Sequence, residues 1–225
     1  RITMRNNHDE RKMLYECRAK NTLIHFYPDE FGHLEKSEKP DWTDKSKSIG
    51  VEVVRATNKE ALSGRRNFLK ISGKRKDEVS SKELEAVTKY NGLLYIDPNT
   101  NVISAHIAAF DRAETMLKDA FSKKVRLINN TNEKYLELNN LFLYVICDSP
   151  LGQSSAKRLL ESLAAIQDSA LKKFDGVFVD DGYFLYRYTF SNRIFLASDT
   201  SDVEVGKEIF VRSLQESKAE RTPDA

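Results

Sequence analysis

A run of apolar, mostly β-branched residues at positions 49–54, with the sequence IGVEVV, constrains the fold of this chain most strongly. Side chains alternate between the two faces of a strand, so Val51 and Val53 lie on one face while Glu52 and Val54 lie on the other. Apolar residues on both faces are typical of a strand that is covered on both sides, as in an α/β sheet. Glu52 is out of place there, because an unpaired buried charge is costly to desolvate.

The remaining pattern of apolar residues predicts an α/β fold with a central mixed β-sheet flanked by helices. Apolar residues at helical spacing indicate helices at residues 8–24, 110–128 and 154–172. Covered strands are expected at residues 141–147 and 174–179, and further strands at 93–96, 102–107, 183–190 and 193–196. Helices that alternate with strands in this order are expected to cover both faces of one sheet.

Length and composition indicate an ordinary globular protein. The 225 residues are enough for one sizeable domain, which we expect over residues 1–216, with a disordered tail at 217–225. The net charge is only +2, so any basic surface must be local. Cys17 and Cys147 lie in apolar patterns and are expected to be reduced core residues of a cytoplasmic protein. No apolar run approaches the ~20 residues of a membrane span, so we expect no membrane partner.

A second acidic residue, Asp41, directly precedes the hairpin that carries Glu52. It follows a proline in the sequence Lys39-Pro40-Asp41-Trp42. An acidic pair placed in this way could hold a divalent cation on oxygen ligands. The alternative is that Asp41 caps a turn and Glu52 points to solvent from an edge strand.

A third carboxylate, Glu10, lies at the start of an apolar helix face. With ~100° per residue and Leu14 at zero, Met13 and Cys17 gather in one sector. Glu10 falls inside that sector, whereas Glu16 falls well outside it. Glu10 could therefore join a buried acidic site, or it could be a first-turn glutamate favoured by the helix dipole.

A lysine on a later helix, Lys124, is a fourth charged residue that falls within an apolar pattern. Lys124 falls in the middle of the apolar sector that contains Leu117, Phe121 and Ile128. A lysine aimed into a core needs a partner or an exit to water. A buried acidic site would be such a partner, and extension of the side chain to the protein rim is the alternative.

Taken together, these four charges suggest one shared buried site. Carboxylates can bind Mg²⁺ or Mn²⁺ and position a water, and a lysine can neutralise developing negative charge or orient that water. The sequence contains no P-loop, no dinucleotide-binding glycine motif and no zinc-type spacing of cysteine and histidine, so those chemistries receive no support.

This arrangement resembles the PD-(D/E)-x-K nuclease superfamily, whose fold is that of restriction endonucleases. Pro40 and Asp41 match the first half of the motif, and Glu52 matches the acidic member of the second half. The sequence departs from the motif at the lysine, because Val54 stands two residues after Glu52. Lys124 is similar to the lysine of those members in which it has moved to a neighbouring helix.

The resemblance implies a restriction endonuclease-like fold and a Mg²⁺- or Mn²⁺-dependent nuclease. This enzyme would hydrolyse phosphodiester bonds in nucleic acid, with DNA favoured. It could act as a homodimer, because many enzymes of this fold dimerise to cut two strands. The metal would be held by Asp41, Glu52 and the carbonyl of Val53. An early helical glutamate is frequent in the superfamily, so Glu10 would join Asp41, Glu52 and Lys124 as a catalytic residue.

The segment from position 58 to 76 is basic and could contact phosphates. Its candidate nucleic-acid-binding residues are Arg65, Arg66, Lys74 and Arg75. A solvated loop is the alternative explanation. This segment also supports a rival function, in which a catalytically inactive module of the same fold binds nucleic acid or a protein partner.

Overall fold

The computed structural model describes residues 7–56, 63, 67–89, 93–107, 113–130, 135, 137–148 and 150–220. The chain divides into two compact units, a larger one formed by residues 1–56 and 117–225 and a smaller one formed by residues 57–116. The single domain expected over residues 1–216 stays a prediction. None of the helices in the described ranges is long and apolar enough to cross a membrane.

The helices and strands follow one another along the whole chain in mixed order. They are α1 (Asn7–Phe26), α2 (Pro28–Phe31), β1 (Glu35–Lys36), β2 (Trp42–Asp44), β3 (Ile49–Ala56), α3 (described over 67–71), α4 (Ser81–Thr88), β4 (Leu93–Ile96), β5 (Ile103–Ile107), α5 (Ala113–Ile128), β6 (Asn140–Cys147), α6 (Gln153–Gln167), β7 (Gly176–Asp180), β8 (Phe184–Thr189), β9 (Ile194–Asp199) and α7 (Val203–Ala219). Each predicted strand and helix has a counterpart here, although α6 ends before the predicted position 172. Residues 110–112 of the helix predicted at 110–128 lie outside the described ranges.

The larger unit is built on a seven-stranded mixed sheet with the strand order β1-β2-β3-β6-β7-β8-β9. Strands β3, β6 and β7 are parallel to one another, and the outer strands on each side are antiparallel. The three parallel strands are buried along most of their length, as their apolar residues on both faces require. The predicted α/β fold with a mixed sheet flanked by helices is therefore confirmed.

Helices cover both faces of this sheet. Cys17 and Leu23 of α1 and Phe31 of α2 share a core with Val51 and Val53 of β3. Glu52 projects from the opposite face of β3, where it contacts Lys124 of α5. The sheet is thus a central layer, with α1 and α2 on one side and α5 on the other.

Helix α1 is buried on two sides rather than one. The Nδ2 group of Asn21 donates hydrogen bonds to Ser213 Oγ at 3.1 Å and to Glu216 Oε2 at 3.0 Å, both on α7. On another side of α1, Trp42 Nε1 of β2 donates to the Glu16 carbonyl at 2.9 Å. The helix therefore lies between the sheet and α7. Residues 217–219, which were expected in a disordered tail, belong to α7, and residues 221–225 lie outside the described ranges.

The smaller unit has its own apolar cluster. Ile71, Val79, Val87 and Ile103 pack together beside the antiparallel hairpin of β4 and β5, which confirms the predicted hairpin. Helix α4 begins with a capping box, in which Ser80 Oγ accepts from the Glu83 N–H and Glu83 Oε2 accepts from the Ser80 N–H.

Two glycines of the larger unit provide a matched test of its packing. A Cβ atom at Gly50 of β3 would lie 2.6 Å from Cγ of the rigid Pro40 ring, whereas a Cβ atom at Gly206 of α7 would meet no described residue within 4 Å. We expect Gly50→Ala to lower the free energy of unfolding by about 1–3 kcal/mol through overpacking. Gly206→Ala should raise it by about 0.5–1 kcal/mol, because alanine favours the helix. Urea denaturation followed by circular dichroism measures both changes, and equal effects of the two substitutions would contradict the packing described for Gly50.

Candidate active site

The hairpin of β2 and β3 brings the two predicted carboxylates together. Its register pairs Trp42 with Val51 and Thr43 with Gly50, so one further step would place Asp41 opposite Glu52. Strand β2 begins at Trp42, so Asp41 lies just outside the backbone ladder with β3. The side chain of Asp41 bonds to β3 instead. Asp41 Oδ2 accepts a hydrogen bond from the Val53 N–H at 2.8 Å. This bond fixes the Asp41 carboxylate beside the strand that carries Glu52.

Both carboxylates are buried, with Asp41 only 6% and Glu52 only 4% exposed. Burial raises the pKa of Asp41 to about 7, and the nearby negative charges of Glu52 and Glu16 add to this shift. The hydrogen bond from the Val53 N–H and the charge of the Lys124 amine lower the pKa of Asp41, but by less than the other effects raise it. The raised pKa of Asp41 therefore reflects a buried carboxylate that lies near other carboxylates.

Lys124 reaches this set from α5. Its Nζ contacts Glu52 Oε1, and its side chain is only 18% exposed. The lysine predicted to point inwards thus meets a carboxylate rather than extending to the rim. The other oxygen of that carboxylate, Glu52 Oε2, is buried and has no hydrogen-bond partner in the described parts of the chain.

The helical carboxylate that is buried and acts electrostatically on Asp41 is Glu16, and not the predicted Glu10. Glu10 is exposed, whereas Glu16 is only 3% exposed and adds to the pKa shift of Asp41. The prediction for Glu10 assumed one apolar sector on α1, but the helix also buries the side that carries Ala19 and Leu23. Because Glu16 precedes these two residues by three and seven positions, that spacing was the available sequence signal.

Glu16 is held by two lysines that the sequence did not single out. Lys36 Nζ lies 2.5 Å from Glu16 Oε2, and Lys12 Nζ lies 3.2 Å from Glu16 Oε1. The Lys12 contact is an ion pair without hydrogen-bond geometry, so Glu16 Oε1 lacks a hydrogen-bond partner among the described residues. Burial alone would raise the pKa of Glu16, but the two lysines outweigh burial and lower it.

The pKa of Lys12 also depends on the other charges of the site. Burial lowers its pKa, but the negative charges of Glu16, Asp41 and Glu52 together raise it above the ordinary value. Two lysines, Lys20 and Lys36, lie over the Trp42 ring at 4.7 Å and 4.9 Å from its centroid. The site thus combines buried carboxylates with lysines that approach from α1, β1 and α5.

The carboxylates at the hairpin suit a cation that needs few protein ligands. Within the described ranges, no three Asp, Glu, His or Cys side chains are grouped closely enough to hold a metal. Mg²⁺ is commonly held by only one or two carboxylates and keeps several waters. A cation would stabilise the ionised form of Asp41, whose pKa is raised, and would supply a partner for Glu52 Oε2, which has none among the described residues. These residues therefore fit Mg²⁺ better than a metal that demands a complete protein cage.

The predicted nucleic-acid contacts fall in the smaller unit. Arg65 and Arg66 lie outside the described residues. Lys74 and Arg75 are exposed, and Arg75 Nε lies 3.2 Å from Asp77 Oδ1. Their role in binding nucleic acid stays a prediction.

The raised pKa of Asp41 predicts a specific pH dependence of stability. Between its ordinary pKa of 3.8 and its folded value of about 7, the folded state binds more protons than the unfolded state, so Asp41 lowers stability as the pH rises. In Asp41→Asn this contribution is absent, and the amide oxygen can still accept from Val53. We expect the free energy of unfolding of Asp41→Asn, relative to the parent, to increase with pH across this window and to level off above it. Urea denaturation with a chelator present tests this, and a difference that does not change with pH would contradict the raised pKa.

Comparisons with known proteins leave the function to be inferred from the site itself. No family model matches the chain, and searches of curated proteins and of solved structures give no significant match. The hairpin carboxylates and the lysine from α5 are therefore the basis on which a function can be argued.

Proposed function

We propose that this protein is a divalent-metal-dependent nuclease with a restriction endonuclease-like fold. It hydrolyses phosphodiester bonds in nucleic acid, with DNA as the favoured substrate. The observation that carries this proposal is the contact of the Lys124 amine with Glu52, beside Asp41 on the β2–β3 hairpin. A proline-aspartate pair, a strand glutamate and a lysine from a helix are thereby brought together from distant parts of the chain.

Asp41, Glu52 and the Val53 carbonyl would hold the Mg²⁺ or Mn²⁺ ion. When bound, the ion lowers the pKa of a water and stabilises negative charge on a phosphate oxygen. The Val53 N–H keeps Asp41 in place, so one carboxylate oxygen is fixed while the other is left for the ion. Lys124, in contact with Glu52, stabilises the charge that develops on the phosphate.

Glu16 takes the place that the resemblance gave to Glu10. Its carboxylate is held by Lys36 and Lys12 and adds negative potential at Asp41. Lys36 keeps about a quarter of its side chain exposed. It is therefore available to attract the phosphate backbone of a nucleic acid that approaches the hairpin.

The alternative function, an inactive module of the same fold, would use the same ion pairs only to hold the structure together. In that case the lysine contact compensates a buried charge and no metal binds. Metal binding and cleavage therefore separate the two functions.

Cleavage of nucleic acid is the first test. We expect the parent to cut plasmid or linear DNA with Mg²⁺ or Mn²⁺ and to stop when a chelator is added. Asp41→Asn, Glu52→Gln and Lys124→Met should each reduce the rate by about 100-fold or more, because each removes a group that acts on the developing charge. Lys123→Met is the matched control, since Lys123 is exposed on the same helix.

The outcomes of this experiment are distinct. Full activity in Lys124→Met would rule out its role as the catalytic lysine. A parent protein that cuts neither DNA nor RNA with either metal would favour the inactive module.

Calorimetric titration with Mn²⁺ tests the metal site independently of cleavage. We expect binding in the parent and its loss in Asp41→Asn and Glu52→Gln. Glu16→Gln should bind Mn²⁺ more weakly than the parent, because one nearby negative charge is lost. The matched control Glu10→Gln should bind like the parent, since Glu10 is exposed. Unchanged binding in Asp41→Asn would place the metal elsewhere.

A further inference from the structure

A second polar cluster lies on the α1 side of the sheet, at the end of β7. Asp180 is buried, and its Oδ2 accepts hydrogen bonds from Arg18 Nη2 at 3.1 Å and from the Tyr144 hydroxyl at 3.0 Å. Its Oδ1 accepts from the Gly182 N–H at 2.9 Å. Both carboxylate oxygens are thus engaged, and the Arg18 guanidinium is anchored to Asp180 through Nη2.

This cluster forms the polar side of a cavity of about 240 Å³. Arg18, Thr22, Asp180 and Thr200 line that side. The guanidinium has further N–H groups besides the one that Asp180 accepts. Thr200 Oγ1 is buried and lacks a hydrogen-bond partner within the described chain. The cavity therefore offers hydrogen-bond donors, while its one carboxylate is already occupied.

The apolar lining of the cavity comes from α7. Val205, Ile209 and Phe210 supply it, and Phe210 is half-exposed. Gly206 also lines the cavity, and no described residue beyond its neighbours in the helix lies within 4 Å of a Cβ atom placed at Gly206. A ligand here would meet both hydrogen-bond donors and hydrocarbon.

We propose that this cavity binds a small monocarboxylate with a compact apolar body. The planar guanidinium of Arg18 and the Thr200 hydroxyl are donors that match a carboxylate, and the α7 side chains bury the apolar part. The volume is below the ~300 Å³ at which pockets for drug-sized ligands begin, so the ligand is much smaller than a nucleotide. A cation is disfavoured because Asp180 is already paired with Arg18 and accepts hydrogen bonds at both oxygens. This site shares none of its lining residues with the hairpin carboxylates and is independent of the proposed nuclease activity.

Titration of the full chain with defined probes tests this proposal. The probes are phenylacetate and hexanoate, with phenylacetamide as the neutral analogue, and binding is followed by calorimetry and by NMR chemical shifts. We expect both carboxylates to bind and the amide to bind about tenfold more weakly, because it cannot form the charge-assisted pair with Arg18. Equal binding of acid and amide, or no binding of either carboxylate, would overturn the proposal.

Substitutions at Gly206 locate the binding to this cavity. Gly206→Leu fills the open space and should abolish binding of phenylacetate, whereas the matched control Gly206→Ala should stay within about threefold of the parent, because a methyl group takes up little of the volume. Thr200→Val, which removes only the hydroxyl donor, should weaken binding by about fivefold. It serves as the deciding variant if Gly206→Leu does not fold. If Gly206→Leu folds and binds the probes as tightly as the parent, the probes bind elsewhere. If Gly206→Leu does not fold, parent-like affinity in Thr200→Val leads to the same conclusion.

Discussion

The buried carboxylate of Glu52 is the constraint on which the rest of the larger unit depends. A charge in the middle of a covered strand has to be compensated from the layer above it, and α5 supplies the lysine that does so. Asp41 lies beside it because the hairpin register places it there, and its bond to Val53 replaces the backbone pairing that ends at Trp42. Removing either member of the Glu52–Lys124 pair would leave the other charge unpaired between the sheet and α5. The strand, the hairpin and α5 are therefore linked through one ion pair.

The sequence was most informative where burial imposes a regular pattern. The alternation in residues 49–54 predicted a strand covered on both faces, and the apolar periodicity around Lys124 predicted its inward orientation. Both predictions depend only on the local geometry of a strand or a helix, and the residue spacing that reveals it is present in a single sequence. The hairpin between β2 and β3 was predictable for the same reason, since its two strands are separated by a short polar loop.

The sequence was least informative where an element is buried by neighbours that are distant in the chain. Helix α1 packs against both the sheet and α7, so a wheel with one apolar sector selected Glu10 and excluded Glu16. Helix α7 itself was not predicted, because the residues it buries are Ile209, Ser213 and Ser217 rather than an apolar stripe. Serines can fill a helix interface when they are hydrogen-bonded, as Ser213 is to Asn21. Hydrophobic periodicity does not detect such a face.

Trp42 is the only tryptophan of the chain, and it starts the strand that follows Asp41. Its ring is buried, its Nε1 donates to the Glu16 carbonyl, and the amines of Lys20 and Lys36 lie over its face. Indole emission depends on nearby charges and on hydrogen bonding to the ring nitrogen. The chain therefore contains a single tryptophan fluorophore, located at its candidate active site. Changes in charge at the hairpin can be followed by light emission from the unmodified protein, without an added label.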